Sequence, residues 1–215
     1  MEQFEFKKMV KILDKYKLPL CKGVLAKSSD EAVRAAAKIG FPVVLKAISK
    51  AIVHKSDIGG VITGIMDNKQ LGAGFEKIKK QVKKKKPKAK IDGVLVQKQC
   101  MGEEIIIGMK RDEQFGPVIM FGLGGVFVEV MKDVVFRVCP VDRKMAVEMV
   151  NEIKARPILK GVRGKKGVNI DAIVNIITKV SKMATDKKEI AELDFNPVIA
   201  DDKKAYIADV RMMHE

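Results

Sequence analysis

Apolar positions along this chain repeat with two different spacings, and the spacing changes from one segment to the next. Over residues 6–16 they fall three or four residues apart, as on one face of an amphipathic helix. Over residues 42–47 the sequence PVVLKA is almost entirely apolar, which is typical of a buried strand. In the first half we therefore predict helices over 6–16, 29–39 (capped by Ser29 and ended by Gly40) and 69–85, with strands over 20–26, 42–47 and 61–66.

The second half of the chain is richer in strand patterns. The lysine-rich segment around Pro87 marks a boundary before it. Beyond that boundary we predict strands over 93–99, 103–110, 117–121, 127–131 and 134–138, helices over 142–154 and 170–184, and closing strands over 192–199 and 205–211. Strands followed by helices and then strands again predict an α+β fold with two lobes, residues 1–90 and 91–215.

Composition narrows the class of protein. The chain has 215 residues, of which 47% are hydrophobic and 32% charged, as in a globular protein with an aliphatic core. The net charge is +15, and nine lysines with one acid fall between residues 76 and 90. Such a run can attract nucleic acid, but no aromatic residues interleave it to stack on bases, so a solvated helix face is favoured.

Cysteine and hydrophobicity patterns bear on the compartment. The three cysteines are far apart and form no metal-binding spacing, which favours a reducing, cytoplasmic setting. The charged start of the chain does not read as a signal peptide. The longest uncharged run, 114–128, is shorter than a membrane span, so we expect no membrane partner.

One candidate for chemistry is the loop HKSDIGGVITG, which begins at His54. Its glycines, among them Gly59 and Gly60, would let backbone N–H groups approach a phosphate closely. A neutral histidine can also act as a nucleophile near neutral pH. Lys46, at the end of the preceding strand, could add a directed positive charge. From the residues alone, a surface loop with an idle histidine stays an alternative.

A second candidate lies in ELDFNPV, residues 192–198, with Asp209 on the next predicted strand. Alternation puts Glu192, Asp194 and Asn196 on one face, and a hairpin would bring Asp209 alongside. Hard oxygen ligands of this kind suit Mg²⁺, although a polar strand face is the alternative. A glycine cluster at 122–125, followed by Arg137, is a weaker signal that a tight turn would also explain.

Together these segments resemble a known family. GFPVVLK, HKSDIGGV, VLVQK, FGLGGVFVEVMKDVVFRVCP and ELDFNPV with Asp209 match, in order and spacing, the ATP-grasp β subunit of ADP-forming acetyl-CoA (acyl-CoA) synthetases. These subunits are relatives of the succinyl-CoA synthetase β chain, and the resemblance covers nearly the whole chain. It implies an ATP-grasp fold, with nucleotide bound between two lobes, and the reaction acyl-CoA + ADP + phosphate ⇌ acid + CoA + ATP.

The resemblance also implies roles for individual residues. His54 would accept the phosphoryl group and carry it to ADP, Asp194 would act beside a phosphohistidine, and Asn196 and Asp209 would bind Mg²⁺. Nucleotide contacts are expected from Lys46, Ser56, Gly59, Gly60, Val96, Gln97, Lys98, Glu104 and Arg137. The 96–98 segment would read adenine mainly through its backbone.

Partners and substrates follow from the same resemblance. A separate CoA-binding α subunit is expected, in an α2β2 assembly, with ATP/ADP and Mg²⁺ as ligands. The segment VQKQ departs from relatives that often carry an acid after the glutamine, which leaves the choice between adenine and guanine open. Another acid, such as succinate, is an alternative substrate, and a basic nucleic-acid-binding module is an alternative from a different class.

Overall fold

The computed structural model describes residues 1–52, 55–125, 132–162, 164 and 166–214. Its helices are α1 (Phe6–Lys15), α2 (Ser29–Ile39), α3 (Asn68–Lys85), α4 (Arg143–Glu152), α5 (Arg156–Lys160) and α6 (Ile170–Asp186). Its strands are β1 (Glu2–Gln3), β2 (Gly23–Ala26), β3 (Val43–Ile48), β4 (Val61–Ile65), β5 (Gly93–Lys98), β6 (Glu103–Asp112), β7 (Gly116–Leu123), β8 (Val134–Val138), β9 (Ile190–Ala200), β10 (Ala205–Ile207) and β11 (Val210–His214).

The smaller of two compact units spans Cys21–Gln99. Its described strands form an antiparallel sheet in the order β2-β5-β3-β4, and α2 and α3 cover one face. Mainly aliphatic side chains fill the layer between sheet and helices, with Leu45 and Val96 fully buried beside the aromatic ring of Phe75. The core is therefore mainly aliphatic, in keeping with the low aromatic content of the chain.

The larger unit joins Met1–Leu20 to Cys100–Glu215. Its described strands form a sheet in the order β1-β11-β9-β6-β7-β8, with β10 also paired to β9. Side chains from α1, α4, α5 and α6 pack against one face of this sheet. They bury the odd-numbered positions of β6, Ile105, Ile107 and Met109, so the even-numbered positions lie on the face opposite the helices.

The ends of several elements differ from the sequence prediction. Ser28, not Ser29, caps α2, because its side chain accepts from the Glu31 N–H. The last predicted strand is split into β10 and β11, which pair with different parts of β9. The sequence pattern gave no sign of α5 or β1. The predicted strand over 127–131 lies outside the described residues.

The two units also differ from the predicted lobes. β5 pairs with both β2 and β3, so residues 93–99 belong with the smaller unit. The first 20 residues belong with the larger one, since β1 pairs with β11 and the side chains of Met9 and Leu13 enter its core. Hydrogen bonding and packing, rather than chain order, set these boundaries.

Candidate functional site

In the smaller unit, Lys46 and Gln97 lie on one face of the sheet. Lys46 pairs with Leu95 of β5, and Gln97 pairs with Val44 of β3, two residues along each strand. Directly opposed residues of an antiparallel pair project to the same side, so these side chains share the face away from α2 and α3. Both are buried, with 7% of Lys46 and 5% of Gln97 exposed. The buried stem of Lys46 directs its positive charge to this face of the sheet.

Val96 and Lys98 point the other way. The Val96 side chain belongs to the core beneath the helices. The Lys98 ammonium donates to the carbonyls of Gly40 and Phe41, at the end of α2, at 3.0 and 2.8 Å. The backbone of this segment pairs with β2 on one side and β3 on the other. Of the three residues expected to read adenine, only Gln97 has its side chain on the Lys46 face.

The glycine-rich loop forms a compact turn over residues 55–60. The Gly59 N–H donates to Ser56 O at 2.9 Å, and the Gly60 N–H donates to Lys55 O at 2.7 Å. The Gly64 N–H, on β4, donates to Gln99 Oε1 at 2.7 Å. The glycine N–H groups that the sequence predicts to cradle phosphate thus donate hydrogen bonds to protein oxygens in this conformation. Ser56 itself is exposed on the turn.

In the larger unit, Asp194, Asn196 and Asp209 gather at one place. Asp194 is half-buried and Asn196 exposed, both on the face of β9 opposite the helices. Val210 pairs with Phe195, so one further step in this register brings Asp209 beside Asn196. The Asp209 N–H donates to Pro197 O at 3.3 Å, which ties the two segments together. The backbone pairing therefore places the residue that carries an amide and the residue that carries a carboxylate on neighbouring segments.

Arg211 adds a cation to the same face. It is directly opposite Asp194 in the β9–β11 pairing. Its Nη1 lies 3.6 Å from Glu192 Oε1, in a salt bridge that is about one-third exposed. The sequence prediction missed Arg211, although alternation from Asp209 could have placed it on this face.

Glu104 is the second residue of β6 and lies next to the glycine cluster. The Gly124 N–H donates to Glu104 O at 2.7 Å, and a Cβ on Gly124 would lie 3.0 Å from the Glu104 carbonyl carbon. Gly125 has φ +66°, a conformation that favours glycine. The glycines therefore allow the end of β7 to pass close to β6. The Glu104 side chain is exposed on the face opposite the helices.

Arg137 does not join this group. It pairs with Ile119, a fully buried core residue, and so projects to the helix-covered face of the sheet. There its guanidinium forms a salt bridge with Glu152 of α4. The structure therefore does not bring Arg137 to the face that carries Asp194 and Asn196. His54 lies outside the described residues.

Comparisons with known proteins agree with this fold. A family model described as an ATP-grasp domain matches residues 2–213. The β subunit of ADP-forming acetate–CoA ligase I from Pyrococcus furiosus is 45% identical over 203 residues, which cover 94% of this chain and 88% of that subunit. No helix among the described residues is long and apolar enough to cross a membrane.

Solved structures are similar over the full chain. One is the dinucleotide-forming acetyl-coenzyme A synthetase 1 of Candidatus Korarchaeum cryptofilum with coenzyme A, Ca-AMPCP and HgCl⁺. It has a TM-score of 0.93 and 42% identity, and covers 100% of this chain and 93% of that chain. The same enzyme with coenzyme A and Mg-AMPPCP has a TM-score of 0.85 and 37% identity, and covers 100% of this chain and 93% of that chain.

Proposed function

Because the chain belongs to the ATP-grasp family of ADP-forming acetate–CoA ligase β subunits, we propose that it performs the nucleotide half of acetyl-CoA + ADP + phosphate ⇌ acetate + CoA + ATP. The observation that carries the proposal is the grouping of Asp194, Asn196 and Asp209 on one sheet face, in a chain whose close relatives carry this name. The CoA half belongs to a separate α subunit, in an α2β2 assembly.

Magnesium fits the residues that are present. Mg²⁺ prefers oxygen ligands and usually takes one or two from protein, with phosphates and waters completing its shell. Asn196 and Asp209 offer such a pair. No group of three or more His, Cys, Asp or Glu that could hold a metal occurs among the described residues. When bound, the ion supplies positive charge to the phosphates of ADP and ATP.

The chain's own residues supply positioning and charge. Lys46 holds a phosphate through its ammonium, and Gln97 contacts the nucleotide from the same sheet face. Phosphoryl transfer depends mainly on such positioning and charge neutralisation, which explains why few reactive side chains are needed. Ser56 and Glu104 are exposed and available for contacts at the edges of the nucleotide. Arg137, which pairs with Glu152, stays outside the proposed set.

His54 carries the phosphoryl group between subunits. Its neutral ring nitrogen attacks the phosphorus of the partner's phosphohistidine, so that one N–P bond forms as the other breaks. An oxygen of the ADP β-phosphate then attacks the phosphohistidine at residue 54, which releases the free imidazole and forms ATP. Asp194 acts beside a phosphohistidine. Its negative charge there stabilises the positive charge of the phosphorylated imidazole ring.

The metal assignment is tested by calorimetric titration of ADP with and without Mg²⁺. Asp209→Asn keeps the Oδ1 atom that accepts from the Val210 N–H at 3.0 Å, so the local fold is retained. We expect this variant to lose about tenfold in Mg²⁺-dependent ADP affinity, or about 1.4 kcal/mol, with Mg²⁺-free binding unchanged.

Asp202→Asn is the matched control. Asp202 is an exposed acid on the turn between β9 and β10, paired with Lys166 at 3.4 Å, and its change is expected to leave both affinities at the wild-type value. Wild-type Mg²⁺-dependent affinity in Asp209→Asn would contradict the assignment.

A further inference from the structure

The 55–60 turn follows directly on His54 and is closed by its own backbone. Two N–H groups, of Gly59 and Gly60, donate back to Ser56 and Lys55 at 2.9 and 2.7 Å. A third bond, from the Ala47 N–H to Gly60 O at 2.8 Å, fastens the turn to β3. Because these two N–H groups donate within the turn, they are not directed at a ligand in this conformation. The hydrogen bonds instead define the shape of the turn.

Glycine is required at both closing positions. Gly59 has φ +68°, in the left-handed region that side chains rarely adopt. A Cβ at Gly60 would lie 2.9 Å from Lys55 O, which is backbone and cannot move aside without breaking the turn. The glycines that resemble a phosphate loop in sequence therefore have a second explanation, the shape of this turn.

Side chains of helix α3 contact the turn. The Lys85 Nζ donates to Asp57 O at 2.7 Å. Gln81, one helical turn earlier, lies against Gly59, since a Cβ built there would be 2.6 Å from Gln81 Oε1. Ile58 is buried, with 8% exposed, in the core that α3 shares. Two side chains of α3 and a shared core thus hold the turn against this helix.

We propose that Lys85, together with Gln81, is a positioning residue for the phosphoryl relay. The proposal rests on the proposed function of His54 and adds how the turn that follows this residue is anchored. Fixing the turn on α3 fixes the residues that follow His54 in the sequence, and a transferring group needs its reacting atoms placed to within about 1 Å. Lys85 contacts the turn through Asp57 O, so in this proposal it acts through the turn and not as a catalytic residue.

The lysine run supplies a matched control. Lys84 is exposed on the same helix, about 100° around its axis from Lys85. Lys84→Met and Lys85→Met remove the same charge from adjacent positions, so any difference between them reports the contact with Asp57. Lys85→Arg keeps a donor that can reach the carbonyl.

The experiment uses the chain copurified with its CoA-binding partner. Steady-state ATP formation gives kcat and the KM for ADP, and hydrogen exchange followed by mass spectrometry reports amide protection over residues 56–60. For Lys85→Met we expect faster exchange in this segment, kcat about tenfold lower and an unchanged KM for ADP. Lys84→Met should match the wild type in all three, and Lys85→Arg should recover most of kcat.

Each other outcome has a definite meaning. Unchanged exchange in Lys85→Met would overturn the anchor, whatever happens to turnover. Faster exchange with an unchanged kcat, or equal losses in Lys84→Met and Lys85→Met, would overturn the positioning role. Full activity of His54→Ala would instead remove the relay on which the proposal rests, and the exchange data would still report the anchor separately.

Discussion

At the scale of single residues, the candidate site depends on the alternation of side chains along β9. Asp194 and Asn196 are two residues apart and so project to the same face, away from the helices. The pairing of β9 with β11 then adds Arg211 opposite Asp194 and brings Asp209 beside Asn196. Acids, an amide and a cation are grouped in this way without any of them interrupting the apolar core.

Replacement of His54 tests the relay directly. Without the ring nitrogen, the phosphoryl group has no acceptor on this chain, so His54→Ala should lower ATP formation by more than about 100-fold. Binding of ADP should stay within about twofold of the wild type, because phosphate contacts come from other residues. Labelled phosphate that is acid-labile and bound to this chain should disappear as well.

His214→Ala is the control for that experiment. It removes the other histidine, which stacks edge-on against Phe4 at 4.8 Å between ring centroids. We expect it to retain both ATP formation and acid-labile phosphate, with any effect confined to stability. Full ATP formation by His54→Ala would contradict the relay.

Sequence patterns predict some of these residues better than others. The grouping of Asp194, Asn196 and Asp209 follows from a period of two and a short hairpin, which are local properties. The side of the sheet on which Arg137 lies does not follow from such local properties. The face of β8 without Arg137 carries Val, Phe and Val, so alternation favours that face as the buried one. The structure leaves Phe136 56% exposed and turns Arg137 towards the helices, where Glu152 neutralises it.

At the scale of elements, Asp133 joins the start of β8 to the connection between α4 and α5. Its carboxylate is buried and accepts from the N–H groups of Lys154 and Ala155 at 2.9 and 2.7 Å. These N–H groups lie in the turn where α4 gives way to α5. A single buried side chain thereby satisfies two backbone donors. Leaving these donors without hydrogen bonds would cost free energy of folding.

Replacement of Asp133 should therefore destabilise the fold. Asp133→Asn keeps one acceptor but points an amide N–H₂ at a backbone donor, so we expect a loss of about 1–3 kcal/mol in the free energy of unfolding. Urea denaturation measures it. Asp142→Asn, at the N-cap of α4, is the control, because asparagine caps a helix as well as aspartate does. Equal midpoints for Asp133→Asn and the wild type would refute this role.

Element types were predictable where periodicity is strong, as in α3 and α6. The short α5 was not, because five residues are too few to show a helical repeat. The support that Lys85 and Gln81 give to the 55–60 turn was also hidden. Lys85 is one of nine lysines in the run, and nothing in the local sequence separates it from its neighbours.

At the scale of the whole molecule, the net charge of +15 favours anionic ligands in general. ADP, ATP and CoA are all polyanions, and so is nucleic acid. Long-range attraction of this kind is screened by salt at physiological ionic strength and does not by itself select a ligand. In the proposed function, selection comes from placed groups such as Lys46, Asn196 and Asp209.

The proposed function is tested most directly by measuring acid–CoA ligase activity of the chain copurified with its α partner. With acetyl-CoA, ADP, phosphate and Mg²⁺ we expect ATP, acetate and CoA in equal amounts, and no ATP when phosphate or ADP is omitted. An intact complex that forms no ATP, together with tight, salt-dependent binding of DNA or RNA by a chain that does not bind ADP, would contradict it.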